Sequence, residues 1–200
     1  EFNDLDESTL KNLMGTLQES SFNLFLLLDD LLQWSLSQSG KIEVKKEPFK
    51  LNDCVGSVLA QFQDEAKLKG IKIENELPDL LLVNADINLT KTIFRNLISN
   101  AIKFTNPRGK IKVYAKSILQ EGKNFQHIFI ADNGIGMDKN TRDSIFTLKR
   151  KQSRLGTANE KGNGLGLLLC KEFAEKQGFD LQVKSEVNKG SIFSFILPVA

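Results

Sequence analysis

Asn96-Leu-Ile-Ser-Asn100-Ala-Ile-Lys103-Phe104-Thr105 lies near the middle of the 200-residue chain, and the rest is best read outward from it. On a helical wheel, Asn100 falls about 40° and Lys103 about 20° from Asn96. Phe94, Leu97, Ile98, Ala101 and Ile102 fall on the opposite side. Two amides and an ammonium therefore share the polar face of an amphipathic helix. Asp86 is placed to cap that helix, which is expected to run to about Phe104. Asn is a poor helix former, so two of them in mid-helix ask for a reason. A solvated surface would tolerate them. As a site the face has a chemistry: amide oxygens can ligate Mg²⁺, and Lys103 can neutralise a phosphate.

Two glycine-rich stretches lie downstream. Asp132-Asn-Gly134-Ile-Gly136-Met137 follows an apolar strand, where the chain must turn. Its glycines permit unusual dihedrals and close approach of a ligand. A plain hairpin turn would explain the motif alone. A buried Asp132 carboxylate would also accept from the exocyclic amino group of adenine and repel the oxygen that guanine carries there. Gly162-Asn-Gly164-Leu165-Gly166-Leu opens a helix. A polar loop, not a strand, precedes it, so the dinucleotide fingerprint of a βαβ unit does not fit. The chain has no GxxxxGK[ST], which excludes a P-loop. A glycine-rich helix start still offers N–H groups and a positive dipole end to phosphates. The loop before it carries Lys149, Arg150, Lys151, Arg154 and Lys161 against Glu160. It is long enough to be a lid over a site; a solvated surface loop is the plainer reading.

The remaining segments set the architecture. Leu10, Leu13, Leu17, Leu24, Leu27, Leu31 and Trp34 step by threes and fours, a heptad seam broken at Ser20 and ending near Gly40. Phe25, Leu28 and Leu32 add a second stripe, so this helix wants partners on two sides. Residues 53–69 read as one helix, Ile71–Glu76 as a strand and Leu80–Val83 as a short buried run. Lys110–Leu119 and Asn124–Ala131 form a hairpin, Asp138–Phe146 a helix, Leu165–Gln177 a helix closed by Gly178. A last hairpin turns at Asn188-Lys-Gly190. Strands and helices are interspersed without strict alternation. The expected fold class is α/β: a two-layer sandwich, one mixed sheet with helices on one face, preceded by a long coiled-coil-like helix. The domains divide at 1–40 and 41–200.

Composition narrows the function. The chain is 40% hydrophobic and 26% charged, with a net charge of +2. That is globular, and too balanced for a general nucleic-acid binder. Cys54 and Cys170 form no CxxC pair, which fits a reducing compartment without disulfide or zinc. The single histidine, His127, excludes multi-histidine metal sites and sits in an apolar run as a structural residue. No apolar run is long enough to span a bilayer, the start is not a signal peptide, and the missing initiator Met suggests a chain cut from something longer.

Together the motifs resemble one family. Asn96 to Thr105 resembles the N box of sensor histidine kinases, Asp132 to Met137 their G1 box, Ser144-Ile-Phe146 their F box, and Gly162 to Gly166 their G2 box. Lys189-Gly-Ser-Ile-Phe193 is similar to the family's last glycine-containing strand. Order and spacing agree over roughly residues 45–200, and the wording is most like hybrid sensor kinases of the Bacteroidetes type. The resemblance implies the Bergerat ATP-binding fold, ATP and Mg²⁺ as cofactors, and a lid between the F and G2 boxes. It implies nucleotide contacts from Asn96, Asn100, Lys103, Phe104, Asp132, Gly134, Gly136, Met137, Arg154, Lys161, Gly162, Gly164, Leu165 and Gly166, with Asn100 and Asn96 on the metal. The first helix resembles the second helix of the dimerisation hairpin. That implies a homodimer, a response-regulator receiver domain as partner, and a cytoplasmic location.

Two departures matter. No phosphoacceptor histidine lies where the hairpin would carry it, and Asn163 stands where Thr or Ser is commoner in the G2 box. Relatives that hydrolyse ATP carry a Glu one helical turn before the Mg-binding Asn. Here that place is Asn96, which cannot act as a base, so phosphoryl transfer to a side chain is favoured over hydrolysis. A catalytically silent ATP-binding switch is the alternative, against which the complete boxes argue.

Overall fold

The computed structural model describes residues 6, 9–10, 13–15, 17, 20–21, 24, 28, 31–32, 35–36, 42–147, 155–158, 160 and 164–200. Contacts divide the chain into two units, Glu1–Ile42 and Glu43–Ala200. In the first, every described residue from 9 to 36 is helical. Asp6 caps this helix, its Oδ1 accepting from Thr9 N–H at 2.8 Å. Leu10, Leu13, Leu17, Leu24, Leu28, Leu31 and Leu32 are all exposed. Phe25, Leu27, Trp34 and Gly40 lie outside the described residues, as do Lys149, Arg150, Lys151, Arg154, Lys161, Gly162 and Asn163.

The second unit is built on a five-stranded mixed sheet in the order β2-β4-β5-β7-β6. Its strands are β2 (Lys72–Asn75), β4 (Lys110–Gln120), β5 (Lys123–Asp132), β6 (Gln182–Glu186) and β7 (Gly190–Pro198). β2 runs parallel to β4, and the other neighbours are antiparallel. Glu121 and Gly122 close the β4–β5 hairpin, both at positive φ (49° and 75°), the twist that a two-residue hairpin turn requires. Two expectations are corrected here. Residues 47–50, for which no strand was expected, form strand β1 (Glu47–Lys50), which pairs with β3 (Leu82–Ala85) in a separate two-stranded sheet. Pro48 fits because this is an edge strand. The run at Leu80–Val83 is not uniformly buried: Leu81 and Val83 are, while Leu80 and Leu82 are exposed, the alternation of a strand.

Helices α1 (Leu51–Gln61), α2 (Gln63–Leu68), α3 (Ile87–Phe104), α4 (Lys139–Ser144) and α5 (Gly166–Gln177) complete the unit. The single helix expected over 53–69 is two. Phe62 leaves helical geometry at φ −107°, ψ 6°, and its N–H bonds the Leu59 carbonyl, a tightened last turn.

Side chains alternate across the sheet. Ile111, Val113, Ile128, Ile130, Phe193, Phe195 and Leu197 are buried on one face. They meet the apolar side of α3, where Phe94 packs edge-on against Phe195 at 5.5 Å. Each such side chain is worth roughly 1.5–3 kcal/mol when fully buried. The opposite face carries Lys112, Tyr114, Lys116, His127 and Phe129, with Tyr114 stacked on Phe129 at 4.8 Å. The helical layer therefore covers one face.

Helix α3 is held firmly at its start. Asp86 Oδ1 accepts from the N–H groups of Asn88 and Leu89, both at 3.0 Å. Its Oδ2 accepts from Lys45 N–H at 2.8 Å. Gln177, at the end of α5, accepts from Asp86 N–H at 2.8 Å. These bonds fix the phase of α3 over the sheet, and with it the direction in which Asn96 and Asn100 point.

Candidate functional site

The side chain of Asp132 has the same parity on β5 as Ile128 and Ile130, so it faces the helical layer. Both hydrogen bonds that reach it end on Oδ1: Gly134 N–H at 2.9 Å and Ser191 N–H at 3.2 Å. No described residue donates to Oδ2. Burial without a cation raises the carboxyl from 3.8 to about 6, although the two N–H groups pull the other way. Asp132 is thus a fixed acceptor with one oxygen committed and one open.

The loop after Asp132 is bound on both sides. Ile135 N–H donates to the Phe104 carbonyl at 3.0 Å, which joins the loop to the end of α3. Met137 N–H donates to Ser185 Oγ at 2.9 Å, and Asn188 N–H to the Ile135 carbonyl at 2.8 Å. Gly136 has φ +61°, and a Cβ there would run into the Glu186 carbonyl oxygen. Only glycine meets both demands.

On α3, Asn96 and Asn100 are half-buried. Asn96 Nδ2 donates to the Thr92 carbonyl at 3.1 Å, and Asn100 Nδ2 to the Asn96 carbonyl at 2.8 Å. The donor half of each amide is spent on the helix backbone, so the carbonyl half points away from that bond. A Cβ on Gly166 would strike Asn96 Oδ1. The start of α5 therefore lies directly against this amide, and α5 begins there without a side-chain cap. Gly164 adopts φ +75° just before it, exposed, followed by Leu165.

The structure thus brings together Asn96, Asn100, Phe104, Asp132, Gly134, Gly136, Met137, Gly164, Leu165 and Gly166 along the end of β5 and one side of α3. Lys103 is more covered than its place on the polar face of the helix suggests. It is buried, at 8% exposure, with Nζ 5.2 Å above the Phe104 ring. Thr157 N–H donates to its carbonyl at 2.9 Å, so residues from a distant loop cover it. Ser185 and Ser191 are site residues that the sequence reading missed. Ser191 follows the glycine of the last hairpin, which is its only signal. Ile145 of the expected F box is buried, and Phe146 lies edge-on to Phe193 at 6.4 Å. His127 lies on the far face of the sheet, 4.1 Å from the Phe129 ring. Burial, then Lys184 and Lys116, hold its pKa below the usual value.

Comparison with known proteins places this geometry. Residues 85–200 match the family described as histidine kinase-, DNA gyrase B- and HSP90-like ATPases. The chain belongs to that family. It is homologous to sensor histidine kinases: the autoinducer 2 sensor kinase/phosphatase LuxQ of Vibrio vulnificus is 34% identical over 201 residues, 97% of this chain and 23% of LuxQ. The chain thus spans about a quarter of the length of such relatives. Among solved structures, full-length ShkA in complex with AMPPNP aligns with a TM-score of 0.74 at 25% identity, over 98% of this chain and 40% of ShkA. Histidine kinase ThkA in complex with the response regulator TrrA aligns with a TM-score of 0.67 at 21% identity, over 98% of this chain and 53% of that one. The two-layer mixed α/β architecture of this ATP-binding domain agrees with the fold expected from sequence. No helix among the described residues is long and apolar enough to cross a membrane.

Proposed function

We propose that this chain is the ATP-binding catalytic part of a two-component sensor histidine kinase. In this role it delivers the γ-phosphoryl of ATP to a histidine other than His127. The observation that carries the reading is that α3 is the common neighbour of both glycine-rich segments: the loop after Asp132, whose carboxylate keeps one oxygen open among the described residues, bonds the end of α3, and the start of α5 packs on Asn96. Asp132 Oδ2 accepts from the amino group of adenine. The glycine turn through Gly164 and Gly166 presents backbone N–H groups to the phosphates. Lys103, Arg154, Lys161 and Gly162 complete the phosphate side, and Phe104, Met137 and Leu165 the wall about the base.

The donor set suits Mg²⁺, a hard cation that takes oxygen ligands and is held by one or two protein oxygens together with substrate phosphates. Asn100 and Asn96 would hold it through Oδ1. When bound, the ion neutralises charge on the phosphates. A side-chain amide cannot take a proton from water, so Asn96 gives the site no hydrolytic base. His127 faces away across the sheet and is no acceptor. The exposed leucines of the first helix fit a homodimer interface. A response-regulator receiver domain is the downstream partner.

The test is incubation with radiolabelled Mg-ATP and a separately supplied phosphoacceptor hairpin. Acid-labile label on the hairpin is expected. Steady phosphate release without an acceptor, or bound nucleotide with no label transferred, would overturn the transfer reading.

A further inference from the structure

Lys69 closes α2, far in sequence from every residue assigned to the site. Its side chain is only 8% exposed, and Nζ makes three hydrogen bonds. Two go to carbonyls in the last turn of α3, Ile102 at 2.8 Å and Lys103 at 3.0 Å. Those carbonyls have no partner further along their own helix, and the negative dipole end favours a cation there. The third goes to Glu160 Oε1 at 2.8 Å.

Glu160 in turn organises the segment before the glycine turn. Its Oε2 accepts from Ala158 N–H at 2.7 Å, and its carbonyl accepts from Gly156 N–H at 2.9 Å. Within that turn, Thr157 donates through N–H to the Lys103 carbonyl at 2.9 Å and through Oγ1 to the Thr105 carbonyl at 2.8 Å. Residues 156–158 and 160 are therefore fastened to the C-terminal end of the helix that carries Asn96 and Asn100. Burial raises the Glu160 carboxyl, and the bonds from Lys69 and backbone N–H groups more than reverse this, leaving it below its usual value.

We propose that Lys69 is a positioning residue for the phosphate side of the nucleotide site: with Glu160 it clamps residues 156–158 and 160 onto the end of α3. This rests on the nucleotide-binding reading above. The clamp's bonds end on the carbonyls of Ile102, Lys103 and Thr105, on either side of Phe104, but none reaches Asp132, Gly134 or Ser191, which are held by bonds of their own. Its loss should therefore weaken recognition of the phosphates far more than recognition of the base.

The test measures Mg-ATP and adenosine affinity on this chain by calorimetry, with unfolding temperature recorded in parallel. Lys69→Met removes the cation and Glu160→Gln removes the opposite charge. The partly exposed Glu160 provides the variant that keeps its fold if Lys69→Met does not. Each should weaken ATP about tenfold and adenosine no more than about twofold, and combine in the double variant to little more than Lys69→Met alone. Lys69→Arg should recover part of the loss. Unchanged ATP affinity in folded Glu160→Gln, or equal loss for ATP and adenosine, would overturn the proposal and leave the clamp merely structural. An unmutated chain that binds no adenine nucleotide would overturn the functional reading itself, and this role with it.

Discussion

Replacing Asp132 by Asn should make the nucleotide-free chain more stable while weakening its hold on ATP. The carboxyl is raised from 3.8 to about 6 by burial without a cation, so the fold favours its protonated form. Stability from this group is present below about pH 4, falls as pH rises, and is fully lost above about pH 6. Two pH decades at about 1.4 kcal/mol each give a penalty near 3 kcal/mol in neutral solution. Asn keeps the shape and the oxygen that accepts from Gly134 and Ser191, and removes the charge. At pH 8 the variant should gain up to about 3 kcal/mol, or about 6–12 °C in Tm for a chain of this size. At pH 4 parent and variant should melt together. The lost charged hydrogen bond to adenine is worth about 1.5–3 kcal/mol, roughly a ten- to hundredfold weaker ATP complex, with a narrower gap to GTP. Thermal melts across pH 4–8 and competition titrations measure both effects. A variant no more stable than its parent at pH 8 would refute the burial argument. An unchanged preference for ATP would remove Asp132 from the adenine role.

Asn100→Ala should abolish most of the Mg²⁺-dependent part of ATP affinity; equal binding with and without Mg²⁺ in the parent chain would count against the metal assignment. Gly166→Ala drives a methyl into Asn96 Oδ1, and such overpacking costs about 1–3 kcal/mol. It should lower both melting temperature and Mg-ATP affinity, and adding Asn96→Ala should restore the first but not the second; restoration of both would show that Asn96 does not hold the metal. Leu17→Glu with Leu24→Glu should shift sedimentation toward the monomer, and a parent chain that stays monomeric at high concentration would refute self-association through this helix.

What could be read from the sequence followed the range of the interactions involved. Helix α3 was legible because its period of 3.6 and its Asp86 cap are both local signals. So was the β4–β5 hairpin, where alternation runs into Glu121-Gly122. Strand β1 was not legible: four residues are too few to show a period, and its pairing with β3 lies more than thirty residues away. Lys103 illustrates the same limit within the site. Its place on the helical wheel was read correctly, but what buries it is Gly156 and Thr157, brought in from over fifty residues downstream. Ser191 lay inside the Lys189–Phe193 motif but nothing marked its role, and Lys69 carried no motif signal, since each acts through a backbone or side-chain partner that only the fold supplies.

The end of β5 and helix α3 with its cap carry groups that are individually unfavourable to the fold. Asp132 is a charge in a poor solvent for it, and the Thr105 hydroxyl is buried without a partner among the described residues. An unmet buried polar group of this kind costs about 1–3 kcal/mol. Asn96 and Asn100 occupy mid-helix positions where most residues would be better helix formers. The bonds that offset these costs lie at the two ends of α3: Asp86 with Gln177 at the start, Lys69 with Glu160 at the finish. An arrangement braced at both ends holds unpaired acceptors at fixed positions where an unbraced helix would rotate to bury or hydrate them. On the proposed reading, the adenine amino group and a phosphate-bound cation would meet acceptors that need no reorganisation, which favours selective binding.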